Sequence, residues 1–264
     1  MKNIRIDYYT GTGGTELVAK LLAKQLKDNN LNVEMNRIYR DNIKDVVNLE
    51  TDYYILIFAV HSFNAPKPIY EWVEHLAGNR CKTAIISVSG GGNVLSNTAC
   101  RCKTVKLLKK RNFNVMYEEM VRLPNNWLKA PKMKTCTQIL SKLPNKIEKI
   151  AQTIISEKRK KKIIYWSDYL ISALGEVEKK GTKYFGSRIK VLDTCTGCGL
   201  CAKNCCSSNI SMESKPKFGN RCDMCLGCVY LCPQKALQPQ WGAAQVDKKG
   251  YDLRLMCQNA NIRL

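Results

Sequence analysis

The sequence predicts an α/β protein in two parts. An open parallel sheet of five strands spans residues 1–155, and a small cysteine-rich α+β unit spans 187–264. A basic helical connector, 156–186, joins them. Three observations carry this reading. Strand and helix patterns alternate five times in the first part, the signature of an open sheet covered on both faces. A glycine- and threonine-rich loop separates the first strand from the first helix, and two cysteine runs of one spacing occupy the last third.

Taken in order, "KNIRIDYY" alternates like a strand, and "ELVAKLLAKQLKDNN" places apolar residues at helical spacing. "LNVEMNRI" is a second short strand. "YYILIFAV" is continuously apolar, as expected of a parallel strand buried on both faces. "PIYEWVEHLAG" reads as a helix with Pro68 at its start and Gly78 at its end. "KTAIISVS" is the fourth strand, "VLSNTACRCKTVKLLKKR" a helix, "FNVMYEEMV" the fifth strand and "NKIEKIAQTIISEKRKKK" a closing helix. In the connector, "IIYWSDYLISALGEVEKK" puts Ile164, Leu170, Ile171 and Leu174 near one face. That suits a helix docked between the two parts, with a membrane-surface helix as the lesser reading.

The 264 residues carry a net charge of +21, 45% hydrophobic and 25% charged residues, values ordinary for a globular chain apart from the charge. The longest apolar run is too short to cross a bilayer, so no transmembrane segment is expected. The N-terminus has no signal-peptide pattern, and the protein is expected in the cytoplasm. No nucleic-acid motif accompanies the basic charge. "EKRKKK", containing Lys158 to Lys162, reads as the solvated end of the closing helix. An acidic redox partner steered by the charge is the sharper expectation.

Fourteen cysteines in a cytoplasmic chain point to metal rather than disulfides. The first run is Cys195, Cys198, Cys201 and Cys205; the second is Cys222, Cys225, Cys228 and Cys232, followed by Pro233. One pair of CxxC motifs would suit zinc. Two sets of four at the same C-x2-C-x2-C-x3-C spacing match bacterial 4Fe–4S runs, in which the fourth cysteine serves the other cluster. Residues 187–240 resemble a two-cluster bacterial ferredoxin on these residues. The resemblance implies that Cys195, Cys198, Cys201 and Cys232 bind one cluster, and Cys222, Cys225, Cys228 and Cys205 the other. Cys206 stands where that family has proline; a small half-buried residue is expected there, and a softer first run. Cys81, Cys100, Cys102, Cys136 and Cys257 have no ligand spacing.

"YTGTGGTE" feeds a helix N-terminus, where converging N–H groups and the helix dipole favour an anion. It is neither a dinucleotide fingerprint nor a P-loop. A plain strand–helix turn is the bland alternative. The loop resembles the FMN-phosphate loop of flavodoxins, with Thr10, Thr12, Gly13, Gly14 and Thr15 on the matching positions. The resemblance places the flavin ring between the loops after the third and fourth strands: His61, Ser62, Phe63 and Asn64 on one side, Ser89, Gly90, Gly91, Gly92 and Asn93 on the other. The usual aromatic sandwich is missing from these loops. Trp127 is the residue expected to return over the ring, or else to anchor the core or the interface.

Both halves together resemble fused flavodoxin–ferredoxin electron carriers, found mainly in anaerobes, over nearly the whole chain. The resemblance implies FMN and two 4Fe–4S clusters as cofactors and electron transfer to a redox partner with an acidic surface. A flavin-dependent reductase acting on a small molecule at an open FMN face is the alternative.

Overall fold

The computed structural model describes residues 1–43, 47–127, 131–240 and 250–262; the tail segment 241–249 lies outside them. Five strands form one parallel sheet: β1 (Asn3–Tyr9), β2 (Asn32–Arg37), β3 (Tyr53–Ala59), β4 (Lys82–Ser89) and β5 (Asn114–Arg122), in the order β2-β1-β3-β4-β5. That 2-1-3-4-5 order is the flavodoxin-like form of the doubly wound sheet. All five strands sit where the apolar patterns put them.

The alternation of side chains along each strand divides the core in two. Tyr53, Ile55 and Ile57 of β3 face helices α1 (Gly14–Lys27), α4 (Met133–Ser141) and α5 (Leu143–Ile155). Tyr54, Leu56 and Phe58 face α2 (Lys67–Glu74) and α3 (Arg101–Lys110). The C-terminal tail joins the first of these layers: Tyr251, Met256, Cys257 and Ile262 pack there, so the chain's end returns to the sheet.

Two expectations about helices are corrected. The closing helix stops at Ile155, and Glu157 takes a left-handed φ of 49°. Lys158 to Lys162 then run beside the exposed edge strand. The Lys160 amide donates to Met116 and its carbonyl accepts from Glu118, both at 3.0 Å. A helical run of like charges would repel at i,i+3 and i,i+4. Extended, the run protects the edge of β5 and brings the Lys160 ammonium to Glu119 at 2.7 Å.

The connector forms helix α6 (Trp166–Ser187). It docks through a polar face: Asp168, Ser172 and Gly175 are buried while Leu170 and Leu174 are exposed. Of the residues expected on the inner face, Leu170 and Leu174 are thus turned outward, while Ile164 packs on the second core layer and Ile171 is half-buried. Among the described residues no helix is long and apolar enough to cross a membrane.

The cysteine-rich unit is a pseudo-repeat. One antiparallel pair joins β6 (Ile189–Val191) to β9 (Leu237–Pro239), and the other joins β7 (Ile210–Met212) to β8 (Pro216–Phe218). Short helices α7 (Leu200–Lys203) and α8 (Gly227–Tyr230) occupy corresponding places. A third cluster of buried residues, Phe185, Ile189, Leu226 and Leu237, lies at its centre.

Candidate functional site

The loop after β1 has the form expected of an anion cradle. Gly13 holds φ 91°, a left-handed value that suits glycine, and α1 starts with no side chain capping its first N–H groups. Those donors face the loop with the positive end of the helix dipole. Thr10 and Thr15 are buried, and the Thr10 hydroxyl accepts from the Gly13 amide at 3.1 Å, which fixes the turn. The Thr12 hydroxyl accepts from the Asn126 amide group at 2.8 Å, tying the loop to the segment after β5.

The loop after β3 is a tight turn closed by reciprocal backbone bonds between His61 and Asn64, at 2.8 and 2.9 Å. Ser62 and Phe63 are left-handed, at φ 46° and 56°, a conformation that costs non-glycine residues about 1–2 kcal/mol each. Helix α6 holds the turn in place. The Asn64 amide donates to the Ser172 carbonyl at 2.8 Å, and the Ser172 hydroxyl donates back to Asn64 at 2.6 Å. Gly175 is where the helix crosses the turn: a Cβ there would lie 1.9 Å from the Ser62 carbonyl oxygen. The Lys179 ammonium donates to the Ala65 carbonyl at 2.5 Å.

These elements enclose a cavity of about 540 Å³ outside the carboxyl ends of the strands, where doubly wound sheets bind ligands. Of the candidate residues, Thr10, Thr12, Gly14, Thr15, His61, Ser62, Phe63, Ser89, Gly90, Gly91 and Trp127 line it. Gly13, Asn64, Gly92 and Asn93 do not. Gly13 shapes the turn, Asn64 faces α6, Gly92 packs on Arg122, and Asn93 accepts from Lys162 at 2.6 Å. Trp127 takes the place expected of an interface anchor and also borders the cavity. It packs edge-on against Phe185 of the cysteine unit, with ring centroids 6.0 Å apart. Burial, helped by the Lys179 cation, lowers the His61 pKa to about 4, against the pull of the Asp223 backbone. The ring is therefore neutral at pH 7, and its Nδ1 is buried without a hydrogen-bond partner.

Sequence reading missed two walls of this cavity. One is the inner face of α6: Glu178, Lys179 and Thr182. The other is the second cysteine loop: Asp223, Met224 and Cys225. A signal for the first was available, because Asp168, Ser172, Gly175, Lys179 and Thr182 recur at helical spacing on one face of the segment.

The two cysteine loops share one backbone form. Gly197 and Gly199 have φ 70° and 73°, and their counterparts Met224 and Leu226 have 53° and 61°. Ser208 and Lys235, three residues after Cys205 and Cys232, both sit near 49°. The Asn209 amide donates to Cys205 Sγ at 3.3 Å and the Ala236 amide to Cys232 Sγ at 3.4 Å. The Met224 amide donates to Cys222 Sγ at 3.3 Å. Such N–H···S bonds are the outer contacts that tune a thiolate-held group. Cys195, Cys198, Cys201 and Cys232 line one small void together. Burial pushes the Cys222 thiol up to about 12 and raises the Cys225 and Cys228 thiols as well, and all three feel Cys205. Among the described residues no three His, Cys, Asp or Glu side chains come together around a single ion. The remaining six cysteines are all buried.

Cys206 is fully buried where a half-buried residue was expected, and it joins the two parts of the chain. Its thiol is 1% exposed and donates to the Thr10 carbonyl at 3.0 Å, while its own carbonyl accepts from the Arg40 amide at 2.8 Å. Arg37 reaches the Thr10 and Asn204 carbonyls and the Cys206 sulfur, each at 3.4 Å. Beside it the Tyr9 hydroxyl meets Ser207 at 3.2 Å, and Ser207 donates to Asp223 at 2.5 Å. Gly11 of the anion loop abuts Cys225 so closely that a Cβ would lie 2.6 Å from the cysteine Cβ. Gly227 abuts the Gly11 carbonyl in the same way. Tyr230 donates to the Asn126 carbonyl at 3.0 Å. The anion loop and the second cysteine loop are thus packed backbone to backbone.

No protein-family model matches the chain, and no curated protein matches it. Solved structures similar in shape include a flavodoxin from the domain Archaea, 11% identical with a TM-score of 0.37, the match covering 58% of this chain and 99% of that one. A flavodoxin from Streptococcus pneumoniae TIGR4 is 16% identical with a TM-score of 0.41, covering 59% and 99%. A flavoprotein in complex with FMN, from Lactobacillus acidophilus NCFM, is 18% identical with a TM-score of 0.36, covering 46% and 93%. At such scores the likeness adds nothing to the strand order already described.

Proposed function

We propose that the chain is an electron-transfer protein that holds FMN in the cavity and two 4Fe–4S clusters on its two cysteine sets, and passes electrons to an acidic partner protein. The observation that carries this reading is the shared wall. One cavity of about 540 Å³ is lined by Thr10, Thr12 and Thr15 on one side and by Asp223 and Cys225 on another. A flavin bound there would share a wall with Cys225 of the second set.

The residues fit both groups. The open N–H groups at the start of α1 and the buried Thr15 suit a terminal phosphate. The unpartnered Nδ1 of neutral His61, Trp127 and the turn at Ser62 and Phe63 suit a flat, partly polar ring. On the cysteine side, backbone amides already aim at Cys205, Cys222 and Cys232, and the left-handed loop positions recur in both runs. FMN handles one or two electrons and each cluster one, so the chemistry belongs to the cofactors. The protein positions them, excludes water and sets their surroundings. Here α6 covers the cavity with Glu178, Lys179 and Thr182, and Gly11 and Gly227 let the two loops meet.

A small-molecule reductase needs an open flavin face, and Glu178, Lys179 and Thr182 of α6 contribute a wall to the cavity, which favours the carrier reading. The two are separated by anaerobic assays of the reduced protein. A carrier reduces an acidic acceptor protein at a rate that falls as ionic strength rises. Saturable turnover of a small acceptor with no partner protein present overturns the carrier reading.

A further inference from the structure

Helix α6 has its amphipathic faces reversed. A surface helix ordinarily buries an apolar stripe and exposes a polar one. Here the inner face carries Asp168, which accepts from Thr98 and the Tyr165 amide, Ser172 and Gly175, which hold the turn after β3, and Lys179 and Thr182, which line the cavity. The outer face carries Trp166, Tyr169, Leu170, Leu174 and Val177, spaced so that they form one stripe, each between 53% and 76% exposed. Ile163 and Tyr165, at 69% and 55%, extend it toward the N-terminus. A contiguous exposed apolar surface of this kind marks a contact site.

Cations flank the stripe at both ends. Upstream, Lys158, Arg159 and Lys161 are exposed. Downstream, Lys180, Arg188 and Lys190 are exposed. The acidic groups of the helix do not cancel them. Asp168 is buried against Thr98 and the Tyr165 amide, Glu176 pairs with Lys103 and Lys179, and only Glu178 stands exposed at the side.

We propose that the outer face of α6 is a docking surface for an anionic membrane, the helix lying in the plane of the interface. Charge decides among occupants. In an antiparallel pairing with a second copy, the upstream cations of one helix would meet the downstream cations of the other, between two chains of net charge +21. An apolar groove alone would leave the cations unused. An anionic lipid surface uses both parts: acyl chains receive Leu170, Leu174 and Val177, and lipid phosphates receive the flanking Lys and Arg. Tyr165, Trp166 and Tyr169 are of the amphipathic aromatic type that settles at headgroup depth. A 22-residue helix provides roughly 33 Å of contact along the surface. Because the other face of α6 roofs the cavity, docking brings the cavity to within about one helix diameter, ~10 Å, of the lipid.

The test is co-flotation of the anaerobically purified full chain with vesicles of phosphatidylcholine alone or with one quarter phosphatidylglycerol. The expected result is strong binding to the anionic vesicles, little to the neutral ones, and a blue shift of emission that Trp166→Phe removes. The double variant Leu170→Glu, Leu174→Glu is expected to lose at least about tenfold in partitioning. Lys158→Gln, Arg159→Gln, Lys161→Gln is expected to lose the preference for anionic lipid. All six substituted positions are exposed, and an unchanged melting curve certifies the fold of each variant. The proposal is overturned if the chain stays off both vesicles or binds them equally. It is also overturned if the leucine variants float like the parent, or if the stripe instead drives a concentration-dependent dimer that Leu174→Glu splits.

Discussion

Gly11→Ala tests the joint between the anion loop and the second cysteine loop. The added methyl would sit 2.6 Å from Cys225 Cβ and 2.9 Å from both its carbonyl oxygen and its sulfur. Neither neighbour is the free end of a flexible side chain, because the cysteine backbone is itself held against Gly11 by Gly227. The two loops must therefore separate by several tenths of an ångström. Overpacking of this kind costs about 1–3 kcal/mol. In a chain of this size that corresponds to a fall in melting temperature of roughly 2–6 °C. The loss is expected in both halves at once: weaker FMN binding in a fluorescence titration, and faster iron release in air. Gly11 touches the cysteine loop with its α-carbon, so cofactor loss confined to the flavin would mean that the loops do not share a wall. A Gly11→Ala protein with wild-type melting, flavin affinity and iron retention refutes the joint altogether.

Other substitutions probe the remaining framework. Gly181→Ala, at a helical position with nothing within 4 Å, should stabilise α6 by about 0.5–1 kcal/mol in a thermal melt. Gly175→Ala, whose Cβ would meet the Ser62 carbonyl oxygen at 1.9 Å, should instead cost about 1–3 kcal/mol and weaken FMN binding, because the turn it clamps lines the cavity. Cys206→Ala removes a buried thiol bonded to the Thr10 carbonyl and is expected to cost about 1–2 kcal/mol in denaturant unfolding. Burial pushes the Glu119 carboxyl up, but the hydrogen bond from Lys160 and the charge of Lys146 outweigh it and hold the pKa at about 2. A lowered carboxylate pKa gives stability that is complete above about pH 4.5 and fades as pH falls toward 2, on the order of 3 kcal/mol in all. Glu119→Gln should lower the denaturant midpoint above about pH 4.5 and flatten its fall between about pH 4.5 and 2.

Local periodicity carried the sheet. Each strand's apolar alternation, and the continuous run of β3, reflect burial on two faces, so all five strands are legible without knowing their order. The two cysteine runs announce their repeat by spacing, and the structure carries that repeat into matching φ values, though only the first run uses glycine at them. Long-range pairing was not legible. Lys158 to Lys162 look like a helix end because nothing local records that Lys160 meets Met116 and Glu118 on an edge strand. Helix α6 misled for a related reason. Its apolar residues were read as the buried face, whereas the polar set from Asp168 to Thr182 was the informative one, since it lies over a polar turn and a cavity. Cys206 was read by comparison with the proline it replaces, and its thiol turned out to answer a carbonyl 196 residues away.

The measurement that bears most directly on the central claim is the count of iron, acid-labile sulfide and flavin per chain after anaerobic purification, read with the visible spectrum. Two cubane clusters and one FMN predict about eight irons, eight sulfides and one flavin. Iron and sulfide without flavin would leave the cavity unexplained. Flavin with zinc, or with no metal, would contradict the reading of the cysteine sets.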